Sequence, residues 1–169
     1  MNLLAGINIG SMLEKVRKPA GYLGTEINAV HKKIGDVKVH LALAFPDLYE
    51  VGMSHLGLKI LYALVNELPE FYAERVFAPA GDMEELLKKE KIPLFSLESR
   101  TPLGSFDLVG FTLQYELSYT TILNMLHLAG IPLRSEKRKM GDPFVIGGGP
   151  GALNPEPLAP FFDFFVIGD

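Results

Sequence analysis

The sequence predicts an α/β domain: a doubly wound parallel sheet with five core strands in the order 2-1-3-4-5. Three observations carry that expectation. From Asp36 onward, short β-branched and apolar runs alternate with stretches of three- and four-residue apolar spacing. The runs are apolar almost throughout, as parallel strands covered on both faces are. Glycines and polar side chains gather in the loops after them, where ligands meet the carboxyl ends of such strands.

Residues 1–35 read as an N-terminal extension and residues 36–169 as the α/β domain. In the extension, Ser11 and Glu14 make a capping box for a short basic helix over Met12 to Lys18, stopped by Pro19 and Gly21. Gly24 to Lys33 reads as a strand turning at Gly35 and Asp36. Val37 to Phe45 is the first core strand, ended by Pro46 and Asp47. Ser54 caps a helix with Leu58, Leu61, Val65 and Leu68 on its apolar stripe. Tyr72 to Ala78 is the second strand, and Asp82 with Glu85 boxes the start of a helix that buries Met83, Leu86 and Leu87. Leu94 to Leu97 reads as a short edge strand.

Asp107 to Leu113 is the third strand. Ile122, Leu123, Met125, Leu126 and Ala129 mark the next helix, with Gly130 as its C′ residue and Pro132 barring continuation. Phe144 to Ile146 is a fourth, buried strand running into the turn Gly147 to Gly151. Asn154 and Pro155 then open a very short helix before the fifth strand, Phe164 to Ile167.

Composition narrows the chemistry. The 169 residues are 48% hydrophobic and 21% charged, enough for one sizeable core. The net charge of −4 and the scattered bases give no ground to infer a nucleic-acid partner. With no cysteine, the chain itself offers no disulfide, thiolate zinc site, cysteine nucleophile or iron–sulfur ligation. No run approaches the ~20 apolar residues of a bilayer span, so a cytoplasmic protein without a membrane partner is expected.

In this strand order, a ligand crevice opens between the first and third strands. Three segments would line it. After the first strand come Asp47, Glu50, Gly52, Ser54 and His55; after the third come Gln114, Tyr115 and Glu116; after the fourth come Gly147, Gly148, Gly149 and Pro150. Asp47 and Glu50 read either as ligand contacts or as loop carboxylates that keep a strand end wet. Gln114, Tyr115 and Glu116 leave an apolar strand as consecutive polar or amphipathic side chains, lining a pocket or an ordinary loop. Three consecutive glycines give up about 0.5–1 kcal/mol each relative to Ala in regular structure, which points to a close approach by a ligand or by another loop. His55 stands at a helix start, where a metal ligand or acid/base group would be useful, but no partner is visible and the other histidines lack ligand spacing.

Gly147, Gly149 and Ala152 satisfy a dinucleotide fingerprint in form only. That motif needs a crossover helix opening at the glycines, and Pro150, Pro155, Pro157 and Pro160 leave room for barely two turns. A Walker loop is excluded because neither Gly-Lys-Ser nor Gly-Lys-Thr occurs. Gln114 stands where a phosphoacceptor receiver would place an aspartate.

Four segments in order carry a resemblance: Leu41 to Leu61 (LALAFPDLYEVGMSHLGLKIL), Phe106 to Glu116 (FDLVGFTLQYE), Phe144 to Pro157 (FVIGGGPGALNPEP) and Phe161 to Asp169 (FFDFFVIGD). Together they resemble the N-terminal cobalamin-binding-type domain of radical S-adenosylmethionine (radical SAM) proteins, over nearly the whole chain. The resemblance implies a flavodoxin-like cobalamin-binding fold followed by a barrel, absent here, whose C-x-x-x-C-x-x-C motif holds a [4Fe–4S] cluster that cleaves S-adenosylmethionine. That barrel and an unidentified substrate are the implied partners, and catalysis lies outside this chain. Histidine-ligating cobalamin domains carry D-x-H-x-x-G, whereas here Met53 replaces the aspartate and Gly57 comes one residue early. The resemblance therefore implies cobalamin held without a histidine ligand, by the switch-point loops and the glycine turn, or a scaffold that has lost it. The alternative is a non-catalytic substrate-recognition or docking domain of the same enzyme.

Overall fold

A computed structural model describes residues 7–168. Five parallel strands, β1 (Val39–Phe45), β2 (Phe71–Phe77), β3 (Leu108–Thr112), β4 (Phe144–Gly148) and β5 (Phe164–Val166), form one sheet in the order β2-β1-β3-β4-β5. Register keeps side chains of one kind together: Ala42 pairs with Val109, and Val109 with Val145. The helices are α1 (Gly10–Leu13), α2 (Tyr49–Ser54), α3 (Leu56–Glu67), α4 (Gly81–Glu90) and α5 (Tyr119–Leu128).

Strand alternation divides the core in two. Ala42, Val109 and Val145 point to one face, under Met83 and Leu87 of α4 and Ile122, Met125 and Leu126 of α5. Leu43, Phe45 and Ala73 point to the other, under Leu58 and Tyr62 of α3. The expected strand order and the alternation of strands with helices are both present. β4 is not buried on both faces: Val145 and Gly147 are buried, but Phe144 is exposed.

Local signals misplaced several boundaries. The box of Ser11 and Glu14 does not form; α1 is a single turn capped by Ile9, because packing draws Ile9, Met12 and Val16 into the core and overrides the local preference. Gly24 to Lys33 is irregular, not a strand. It docks by specific bonds: the Val30 N–H donates to the Tyr62 hydroxyl at 2.7 Å, and Lys32 Nζ donates to the Asn66, Leu68 and Phe71 carbonyls. Ser54 closes α2, its hydroxyl donating to the Val51 carbonyl, and His55 caps α3 instead. Leu61 and Leu68, expected on the apolar stripe, are exposed, and Tyr62 takes the buried place beside Leu58. Asp82 lies in the first turn of α4 behind Ala80, so no box forms with Glu85. Leu94 to Leu97 is no strand; Leu97 donates one backbone bond to Arg75 of β2. No α-helix opens at Asn154; the prolines allow only 3-10 turns on either side of it, at Pro150–Leu153 and Ala159–Phe161.

Two adjacent charged residues of β2 point to opposite faces of the sheet. Glu74 Oε1 is 2.7 Å from Nε2 of His40 on β1, and the Ser99 N–H and hydroxyl both donate to its carboxylate at 2.8 Å. Burial pushes the Glu74 carboxyl up, and these hydrogen bonds, led by His40, overcome it and leave it below the usual carboxylate range. On the other face, Arg75 Nε donates to Glu98 Oε1 at 2.6 Å and Arg75 NH2 to Glu26 Oε2 at 3.0 Å.

Gly24 has φ +66°, and a Cβ there would collide with the Leu97 carbonyl. Gly24→Ala is expected to lower stability in urea unfolding by at least about 1–3 kcal/mol; wild-type stability would show that the docking is not required. The lowered carboxyl of Glu74 makes its contribution complete above the ordinary carboxylate pKa and lost as pH falls through the lowered value. Stability should decline over that acidic window, and Glu74→Gln should flatten the decline at the cost of lower stability at neutral pH. An unaltered pH profile in the variant would contradict this.

Candidate functional site

β1 and β3 are neighbours whose following helices, α3 and α5, cover opposite faces, so the crevice lies beyond their carboxyl ends. The chain leaves β1 at Pro46. The Asp47 carbonyl accepts from the Ala78 N–H at 2.9 Å, which ties the ends of β1 and β2 together. The Asp47 carboxylate accepts from the Leu48 N–H at 2.7 Å and from the Tyr115 hydroxyl at 3.3 Å. These groups border a cavity of about 530 Å³ that Leu48, Pro79, Thr121 and Asn124 also line. Asn124 donates to Glu84 at 2.9 Å, and Glu84 also pairs with Lys88, whose hydrogen bond holds that carboxyl below its usual range. The cavity thus offers a carboxylate, a phenol, a hydroxyl and an amide to a polar ligand.

The other predicted residues lie elsewhere. Glu50 is in the first turn of α2, paired with Lys18 at 2.6 Å, and that contact lowers its carboxyl. Gly52 is buried against Phe77, whose ring leaves no room for a Cβ there. Ser54 is exposed and bonded to its own helix. His55 Nδ1 accepts from the Leu58 N–H at 3.2 Å, and its ring lies 5.1 Å from that of Phe45. Glu116 opens a 3-10 turn and is exposed.

The glycine turn packs against the loop after β3. The Leu113 N–H donates to the Gly148 carbonyl at 2.7 Å, and the Gly151 N–H donates to the Leu113 carbonyl at 2.8 Å. A Cβ on Gly147 would stand 2.8 Å from Leu113, 3.0 Å from Phe162 and 3.1 Å from Phe165. Gly149 has φ +101°, and its missing Cβ leaves room for the Leu113 carbonyl and the Gln114 amide. Gly149 and Pro150 are exposed, and Gly148 rests against Val166 of β5. The structure therefore joins Asp47 with Tyr115, and Gln114 with the glycine turn, and separates both pairs from His55.

Sequence reasoning missed the cluster at the carboxyl end of β2. Arg75, Glu98 and Glu26 meet there, the Tyr49 hydroxyl donates to Glu26 at 2.8 Å, and the Arg75 guanidinium lies 4.6 Å above the Tyr62 ring. Burial, then the Glu26 hydrogen bond, pushes the Tyr49 phenol up to about 12. A cavity of about 630 Å³ opens beside it, lined by Glu26, Val30, Met53 and Tyr62. The available signal was Glu74 and Arg75, two adjacent charges inside an otherwise apolar strand. Among the described residues, no three His, Asp or Glu side chains come together in a way that would hold a metal ion, and no helix is long and apolar enough to cross a membrane.

Two comparisons with known proteins bear on the site. Residues 57–169 match the family described as radical SAM proteins, N-terminal. An uncharacterised protein of Methanocaldococcus jannaschii is 22% identical over 131 residues, covering 77% of this chain and 24% of the relative. The chain thus spans about a quarter of the length of that relative.

A capping role for His55 makes a distinct prediction. His55→Ala should cost about 1 kcal/mol in thermal or urea unfolding, and His55→Asn, which can still accept from Leu58, should recover most of it. Equal loss in both variants would mean that the imidazole does something a cap does not.

Proposed function

Because residues 57–169 match it, this chain belongs to the N-terminal family of radical SAM proteins, and on that premise we propose a non-catalytic, cobalamin-type scaffold that has kept the fold without the cofactor's place. The observation behind this reading is the filling of the glycine turn from within. A bulky cofactor tail needs an open slot beside such glycines, and on the buried side of Gly147 that space is occupied by Leu113, Phe162 and Phe165. The residues present do not fit a histidine-ligated corrinoid either. His55 uses Nδ1 to cap α3, and Met53 stands where a carboxylate would orient the ring.

In this reading the [4Fe–4S] cluster, S-adenosylmethionine cleavage and radical chemistry belong to the rest of the longer protein, since no cysteine is present here. The crevice of Asp47, Tyr115, Thr121 and Asn124 then contributes hydrogen-bonding groups for a polar part of the substrate.

The test uses the full-length protein mixed with hydroxocobalamin, followed by gel filtration and the visible spectrum. The expected result is protein free of corrinoid with an unshifted cobalamin spectrum. A near-stoichiometric corrinoid that co-elutes with shifted bands would overturn the proposal.

A further inference from the structure

The polar groups around the cavity beyond β1 and β3 have largely committed their hydrogens to one another. The Tyr115 phenol donates to Asp47 Oδ2 at 3.3 Å, so its oxygen is left to accept. Asn124 Nδ2 donates to Glu84 Oε2 at 2.9 Å, which fixes the amide's orientation and leaves Oδ1 as an acceptor. The Ser118 hydroxyl donates to the Tyr115 carbonyl at 2.7 Å. Asp47 Oδ1 accepts only the Leu48 N–H, and a carboxylate can accept more bonds than these two. The lining therefore presents acceptors, and Thr120 and Thr121 have hydroxyls that turn either way.

Charge points in the same direction. Asp47 and Glu84 border the cavity, and among the described residues no Lys, Arg or His does. Glu84 is compensated by Lys88. Asp47 takes part in no ion pair among the described residues, so its unit charge stands alone. The first turn of α5 opposes this, because a helix N-terminus carries about half a positive charge. Glu116 lies in the 3-10 turn that runs directly into α5, so a carboxylate already serves that end, and the full charge of Asp47 prevails. Leu48, Pro79 and Leu117 add apolar walls, and about 530 Å³ accommodates a compact carbon skeleton.

We propose that this crevice takes a small molecule bearing a protonated primary amine, with the ammonium seated on Asp47 beside the Tyr115 oxygen. An ammonium has three donors and no acceptor, the complement of this lining, and its bond to the carboxylate is charge-assisted. Asn124 Oδ1 and Thr121 remain for further donors of the same molecule, and its carbon skeleton rests on the apolar walls. The inference rests on the reading that a polar part of the substrate enters this crevice, and it names the class of that substrate.

Calorimetric titration of the full-length protein with three molecules of one shape tests it: cyclohexylamine, the neutral cyclohexanol and the anionic cyclohexanecarboxylate. Cyclohexylamine should bind saturably, and the other two at least about tenfold more weakly. Asp47→Asn keeps an acceptor for the Leu48 N–H, so folding should tolerate it, and it should weaken the amine by at least about tenfold. Glu70→Gln removes an equal charge just before β2, at the opposite end of the sheet, and should leave amine binding unchanged. Carboxylate binding as tight as the amine's, equal weakening by the two substitutions, or no saturable amine binding up to about 10 mM would overturn the proposal. Loss of amine binding when hydroxocobalamin saturates the protein would instead overturn the reading beneath it, because a corrinoid would then occupy the crevice.

Discussion

The arrangement of this domain depends on a pair of buried charges at consecutive positions of β2. Strand alternation sends Glu74 toward the α4 and α5 face and Arg75 toward the α3 face. Neither can remain unpaired where it lies, because removing one partner of a buried ion pair costs about 3–5 kcal/mol. Each therefore recruits backbone that has no regular structure of its own. Glu74, already paired with His40 of β1, gathers Ser99, and Arg75 gathers Glu98 and Glu26. The 96–101 loop is thus clamped from both sides of the sheet, and the irregular stretch around Glu26 is held over α3's neighbourhood. This accounts for order in segments that hydrophobic pattern alone would leave loose.

The same strand positions the ends that form the crevice. Ala78, just past β2, donates to the Asp47 carbonyl, and Asp47 in turn accepts from Tyr115 beyond β3. The polar cavity at the switch point is therefore built on carboxyl ends held by backbone hydrogen bonds, which is where a preorganised binding surface is least costly to keep. The glycine turn after β4 serves a different purpose. The missing side chain of Gly147 admits Leu113, Phe162 and Phe165, and Gly149 and Gly151 admit the Leu113 backbone, so close packing of the chain on itself explains these three glycines.

The core strands were legible because buried parallel strands are continuous apolar runs, and Val109, Phe111 and Val145 are as buried as that pattern implies. Helix positions were legible where apolar spacing decides them, as in α5, and Gly130 does adopt a positive φ of +71° as a C′ residue. Cap assignments failed at Ser11, Ser54 and Asp82, because a cap motif is a local preference of about 1 kcal/mol, and burial of Ile9, Met12 or Leu58 outweighs it. In the site, Asp47 and Tyr115 meet as their loops suggested, whereas His55 and the glycines are committed to their own chain.

By itself, then, the sequence determined where the five core strands lie and that no thiol chemistry resides here, since both stem from residue type and period. Tertiary structure alone decided which glycine approaches which loop, which face of β4 and β5 stays bare, and that residues beyond regular structure close around Arg75. Those outcomes depend on contacts between residues far apart in the chain, whose geometry no local window contains.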